Sequence, residues 1–336
     1  MIRNATLILA VLGAVFSPVF AQDQWHMDPK QVVGPDRCGE CHKSEMAAWK
    51  TTVHHKSFFQ LTQSEDARDI AEKMGVSRIK RESLCMQCHF TSTLQESVVT
   101  PIAGTSCESC HGAALDWIDL HNDYGGKDVK KEDETQAHRE QRLAASRKAG
   151  MIRPESLYDV ASNCYQCHTV PNETLINTGG HRLGSNFELV AYSQGEVRHQ
   201  FMRSGDGKTN MASTPESLRL MYVIGQALEL EYSLKGLAEA TVKDKYALAM
   251  AKRVKRAQQS LAAIHQAVPH ESLQSLSDLA ASASLKLNNR QPLLALAQQV
   301  QDLAKTLQKS LSSQDLSALD SLLPQPQDYR GTALAR

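Results

Sequence analysis

Cys85-Met86-Gln87-Cys88-His89 and Cys107-Glu108-Ser109-Cys110-His111 lie close together, two copies of the pentad C-x-x-C-H. The spacing is that of c-type haem attachment: two thiols form thioethers with the porphyrin vinyl groups, and the imidazole that follows binds the iron from one face. The same pentad precedes them as Cys38-Gly39-Glu40-Cys41-His42 and follows them as Cys164-Tyr165-Gln166-Cys167-His168. Together the four use all eight cysteines. A four-thiolate zinc ribbon or a set of four disulfides would also use paired cysteines, but neither requires a histidine after every second one. Nothing around the pairs reads as the βαβ unit of a thioredoxin-like site. The pattern therefore predicts four covalently attached haem c groups, with His42, His89, His111 and His168 as the first axial ligands.

The start of the chain fits that chemistry. Arg3 precedes an apolar run from Ala5 to Phe16, and Val19-Phe20-Ala21 supplies small residues before polar Gln22, so residues 1–21 read as a cleaved secretory signal peptide. The run is too short to span a bilayer comfortably. A periplasmic protein is expected, because bacteria attach c-type haem outside the cytoplasm. Lysine plus arginine equals aspartate plus glutamate at 37 each, which removes the basic surface that nucleic-acid binding requires. Aromatic residues make up only 5%, and haem macrocycles would supply the missing apolar bulk.

The fold class is mainly α: a multihaem cytochrome c domain with little regular sheet, followed by an antiparallel helical bundle. Residues 22–212 form the haem-bearing part, rich in turns and short helices. Ser213-Thr214-Pro215-Glu216 then resembles a capping box with proline at the helix start. From there the apolar positions recur with helical period, through Leu218, Met221, Tyr222, Gly225, Leu228 and Tyr232, then Tyr246, Met250, Val254, Leu261 and Ile264, then Leu273, Leu276, Ala280, Ala283 and Leu287. A last helix from Pro292 repeats Leu293, Ala297, Val300, Ala304, Leu307 and Leu311 at heptad spacing. Residues 213–323 are thus expected to form four antiparallel helices, with stripes that make a core or, alternatively, the seam of a homo-oligomer. Residues 324–336 are expected to be a loose tail.

What fills the sixth position of each iron decides the chemistry. A second histidine makes a low-potential carrier, methionine raises the potential, and an empty position admits a small molecule. Nine histidines lie outside the pentads: His26, His54, His55, His121, His138, His181, His199, His265 and His270. His26 and His138 are expected to face solvent, the latter in a charged helix from Lys130 to Arg147. His265 and His270 fall at a helix end and turn. Met86 is badly placed to reach the iron of its own pentad.

Cys38-Gly39-Glu40-Cys41-His42-Lys43, followed by Trp49-Lys50-Thr51-Thr52-Val53-His54-His55-Lys56, resembles the opening of the tetrahaem cytochrome c554 family, the electron acceptors of hydroxylamine oxidoreductase in nitrifying bacteria. Gly104-Thr105-Ser106-Cys107-Glu108-Ser109-Cys110-His111-Gly112, with His121 after it, resembles the family's third haem site. The resemblance spans residues 36 to about 200. The helical C-terminal half carries none. It implies that His54 and His121 are distal ligands donated to haems other than their sequence neighbours, and that His199 is a third. It also implies that the haem on the second pentad lacks a protein sixth ligand.

His181, in Gly179-Gly180-His181-Arg182, departs from that pattern. It could cap the second haem or replace His199, and the glycines before it would let the backbone approach a haem closely. His55 is the fallback for His54, since adjacent imidazoles on a helix point in different directions.

Four haems with enough histidines to cap them favour an electron carrier over an enzyme, relaying electrons between periplasmic or membrane-associated redox proteins. The alternative is an oxidoreductase acting on a small nitrogen or sulfur compound at one five-coordinate haem. It would need a nearby acid or cation, for which Arg182, Arg198, His138 and Tyr192 are the candidates.

Overall fold

A computed structural model describes residues 26–184 and 186–335; the expected signal peptide lies outside them. From its N-terminal end the chain runs through α1 (Pro35–Gly39), α2 (Lys43–Thr51), α3 (Val53–Gln60), α4 (Glu65–Lys73) and α5 (Ser83–His89). The junction of α2 and α3 is set at Thr52, which is extended and whose hydroxyl accepts the His55 N–H at 3.2 Å, capping α3. Strands β1 (Phe90–Gln95) and β2 (Val98–Gly104) form one antiparallel hairpin. Its two-residue turn is Glu96-Ser97, both with positive φ, which matches the twist of paired strands.

The chain continues with α6 (Cys107–His111), α7 (Gln136–Lys148), α8 (Leu157–His168), α9 (Glu173–Asn177) and α10 (Leu189–Ser193). The charged helix expected from Lys130 begins instead at Gln136, because the Thr135 hydroxyl caps it there. Each pentad puts its cysteines on a helical turn or at its edge. An i, i+3 pair shares a helix face, so both thiols can point the same way.

Four helices follow: α11 (Pro215–Ala238), α12 (Lys245–Ala267), α13 (Glu271–Ala281) and α14 (Arg290–Ser310). Thr214 caps α11, with Pro215 at the first helical position. The α13 cap is His270, whose ring nitrogen accepts the Ser272 N–H at 3.1 Å. The expected stripes lie inside: Tyr246, Met250, Val254, Leu261 and Ile264 on α12, and Leu293, Ala297, Val300, Ala304 and Leu307 on α14.

α11 is buried nearly all round from Tyr222 to Leu234, since α12 and α14 flank one side and α8 and α10 the other. Two tyrosines of α8 fix that second contact. Tyr158 donates to Glu231 Oε2 at 2.7 Å, and Tyr165 donates to the Gly225 carbonyl at 2.8 Å. The helix that ends in the fourth pentad therefore belongs to the same apolar core as the bundle.

The segment after Pro324 was expected to be loose and is instead tied down. The Arg330 N–H donates to the Ala191 carbonyl, the Glu196 N–H donates to the Arg330 carbonyl, and Asn210 Nδ2 donates to the Leu334 carbonyl. Backbone pairing holds what composition alone read as free. Among the described residues no helix is long and apolar enough to cross a membrane.

Candidate haem sites

The pentads are joined to one another by hydrogen bonds. Glu108, between the cysteines of the third pentad, is 1% exposed and accepts the N–H groups of Val33 at 3.0 Å, Gly34 at 2.8 Å and Ala114 at 2.8 Å. It thereby pins the segment leading into the first pentad against the third. Burial pushes its carboxyl up, against the pull of the three donors. Thr105 Oγ1 donates to the Cys88 carbonyl at 3.0 Å, joining the second pentad to the third. Asn163 Nδ2 donates to the Cys110 carbonyl at 3.1 Å, joining the fourth.

The attachment cysteines follow the same contacts. Cys38 and Cys107 interact thiol to thiol, which raises the first and lowers the second. Cys88 and Cys167 do likewise, with Cys88 held down and Cys167 pushed up. Burial pushes the Cys85 and Cys110 thiols up to about 11. Burial also raises Cys164, with Cys110 as a further cause. The first pentad thus adjoins the third, and the second, third and fourth adjoin one another. No two of the eight sulfurs are joined in a disulfide. His26 lies 3.8 Å from the Cys88 sulfur and, with Cys167, makes a compact three-donor group. Both of its sulfurs are pentad thiols, so haem attachment consumes them and the group is no separate metal centre. A cavity of about 300 Å³ opens here, reached by Cys88, Ser109, Asn163 and Cys167 from the second, third and fourth pentad regions.

Each pentad histidine faces one histidine from another part of the chain. Ring centroids are 6.2 Å apart for His42 and His121, 6.1 Å for His89 and His181, 6.3 Å for His111 and His199, and 6.2 Å for His168 and His54. A metal–imidazole bond of about 2.0 Å, with the ring centre roughly 1.1 Å behind the nitrogen, puts two rings on opposite sides of one ion about 6.2 Å apart. The residues present therefore fit the group that the pentads imply. His54, His121, His181 and His199 each lie beside a pentad histidine, His181 and His199 at different pentads.

The imidazole chemistry agrees. Nδ1 of His111, His181 and His199 meets the backbone carbonyl of Ile152 at 3.0 Å, Arg182 at 2.8 Å and Val197 at 2.7 Å. Nδ1 of His121 meets the Ile118 carbonyl at 2.5 Å. Occupying Nδ1 this way leaves Nε2 as the free donor and fixes the ring. Burial holds His54, His89, His111 and His121 below the usual histidine range, and holds His168 at about 4, with His54 and Arg253 adding to the effect. Neutral imidazole is the ligating form.

Local structure explains how these rings come together. Gly104 lets β2 lie on α3: a Cβ there would come within 2.0 Å of the His54 carbonyl. His55 points elsewhere, its ring packed edge-on against Trp49 at 4.6 Å. Arg142, mostly buried, donates to the His121 carbonyl at 2.6 Å while its fork grips Glu134, which also meets His138. The side chain of His138 is thus engaged with Glu134. The ring of His168 is stacked on Phe187 at 4.5 Å and flanked by Tyr192 at 5.6 Å. Met86 is buried in the core. Arg182 pairs with Asp66 at the surface.

Residues 37–112 match the family model described as cytochrome c554 and c-prime. Over this region the chain is similar to the cytochrome c554 family. Cytochrome c-554 of Nitrosomonas europaea is 28% identical over 100 residues, covering 27% of this chain and 43% of that protein. The chain thus spans less than half the length of the curated relative it matches. No solved structure matches. The likeness over this region supports a c-type cytochrome with covalently bound haem c. Sequence reasoning missed Glu108, Arg142 and Arg253, whose side chains hold backbone groups of other segments.

Proposed function

We propose that this protein is a tetrahaem electron-transfer cytochrome, working outside the cytoplasm between redox partner proteins. In this reading each pentad attaches one haem. The imidazole pairs His42 with His121, His89 with His181, His111 with His199 and His168 with His54 would each hold one iron. Haem c, when bound, supplies a one-electron iron couple, and two imidazoles favour its low-spin, low-potential form. The observation that carries the reading is that four independent pairs share one separation, 6.1 to 6.3 Å, matching two imidazole bonds to a single ion.

The chain's own contribution is to hold rings and attachment points in place. Backbone carbonyls orient Nδ1 on four of the rings, and Glu108, Thr105 and Asn163 keep neighbouring pentads in contact. The first attachment site adjoins the third, and the second, third and fourth adjoin one another, which suits passage of electrons among them. An oxidoreductase with an open iron at the second pentad finds no supporting observation. His181 stands opposite His89, and Arg182 is committed to Asp66.

The test is the low-temperature electron paramagnetic resonance spectrum of the oxidised holoprotein, with haem counted per chain and the spectrum repeated after adding cyanide or nitric oxide. Four low-spin haems indifferent to the added ligand are expected. A high-spin component that binds the ligand would overturn complete capping and put the enzyme reading first.

A further inference from the structure

The bundle also reaches the backbone of the fourth pentad through a buried arginine. Arg253 of α12 is 1% exposed. One terminal nitrogen of its guanidinium donates to the Gly184 carbonyl at 3.1 Å and the His168 carbonyl at 3.4 Å. The other donates to Glu229 of α11 at 2.6 Å, and Glu229 also accepts from Arg256 at 2.8 Å. Gly184 turns tightly under His168, with a positive φ and space for no Cβ, which would meet the His168 carbonyl at 2.1 Å. The loop carrying this carbonyl begins just after His181. A helix of the C-terminal half thus grips the backbone of one pentad histidine and the loop that leaves another member of the histidine set.

We propose that Arg253 is a positioning and potential-setting residue for the haem attached at Cys164 and Cys167, and that the helical bundle serves to hold this charge against it. The inference rests on the proposed His168 and His54 ligation. Arginine stays charged at any pH the fold survives. Two guanidiniums share one carboxylate, so the cluster of Arg253, Arg256 and Glu229 carries one net positive charge. Phe187 and Tyr192 wall the His168 ring, and a fixed charge facing such an apolar environment is weakly screened. A fixed positive charge favours the reduced, less positive iron. Loss of Arg253 should therefore favour the oxidised form, and loss of the Glu229 charge the reduced form. A lysine keeps the charge and loses only the fork that joins the two carbonyls to Glu229.

The experiment is a spectroscopic redox titration of the full-length holoprotein, alongside its thermal melt, in R253M, R253K, E229Q and H54A. H54A identifies which redox component belongs to the His168 iron, since it should alter one component and leave three. R253M should raise the oxidised to reduced ratio of that component about tenfold at fixed potential, a shift of about 59 mV for one electron. E229Q should move the same component the opposite way, and R253K should restore most of the parental value.

Shifts of the same sign in R253M and E229Q, or a lower melting temperature with no shift, would mean a packing role alone and overturn the proposal. So would a shift confined to a component that H54A leaves untouched. If H54A alters no single component, the ligation reading falls, while the opposite signs of R253M and E229Q still decide whether the bundle sets a potential. Should R253M fail to fold, E229Q and R253K carry the test.

Discussion

Replacing Glu108 with alanine would strand three backbone N–H groups, those of Val33, Gly34 and Ala114, which now donate to its carboxylate at 2.8 to 3.0 Å. Glu108 is 1% exposed, so solvent cannot replace it without opening the contact between the first and third pentads. A buried donor left without an acceptor costs about 1–3 kcal/mol. Three of them, partly relieved by local relaxation, give roughly 3–6 kcal/mol. For a chain of this size about 2 °C of melting temperature follows each kcal/mol, so Glu108→Ala should melt roughly 6–12 °C lower. Glu108→Gln keeps one acceptor oxygen and should fall between. Calorimetry of the holoprotein at neutral pH, with haem content matched between variants, reads the effect. Exposed Glu140→Ala is the control and should shift the melt by less than about 1 °C. A Glu108→Ala protein that melts with that control would refute the argument that this carboxylate holds the two pentads together.

In the oxidised holoprotein His181→Ala should convert one haem of four to a high-spin form that takes up one cyanide per chain, while His55→Ala leaves the low-spin signals unchanged; the reverse result would exchange their roles. Glu134 is held at about 2 by Arg142, with His138 adding to the pull. A carboxyl depressed in the folded state stabilises it above the unfolded value of 4.5 and loses that contribution as pH falls through about 2. Melting temperature measured from pH 5 to pH 2 should therefore drop less steeply in Glu134→Gln than in the parent, and equal slopes would count against the pairing. Deleting residues 326–336 removes the backbone partners of Ala191 and Glu196 and an acceptor for Asn210. Tryptic cleavage at Arg198 and Arg203 should then accelerate by about tenfold, matching a loss of roughly 1.4 kcal/mol in local opening free energy. An unchanged cleavage rate would show that the segment bears no load there.

The parts of the site that were legible in the sequence are those where chemistry dictates residue type. A pentad histidine must follow its cysteines, so motif and role coincide. Among nine histidines outside the pentads, His54, His121 and His199 could be named through the resemblance to the cytochrome c554 family, and His181 through the glycines before it. Which pentad each one faces depends on how loops cross, and no local pattern in His181 or His199 encodes that. The bundle was legible because its stripes keep helical period over four segments. The sharing of α8 between the pentads and the bundle was hidden, since Tyr158 and Tyr165 sit in a stretch whose cysteines dominate the reading. Glu108 occupies a variable position of its pentad, and Arg253 lies in the run Lys252-Arg253-Val254-Lys255-Arg256, which resembles a solvated face. In both cases the fate of the charge is set by partners far away in sequence. The tail misled for a related reason: Arg330 and Leu334 are held through main-chain groups, to which composition is blind.

The membership of α8 in the bundle core has a consequence for the order in which the molecule can be built. Synthesis delivers Cys164 and Cys167 before any residue of α11, yet Tyr158 and Tyr165 on the same helix find their acceptors only on Glu231 and Gly225. Until those residues have been made, the fourth pentad has no core to fold into and its thiols have no fixed surroundings. The fold thus leaves an interval in which that pentad is open to chemical attachment, and the arrival of the last helices closes it.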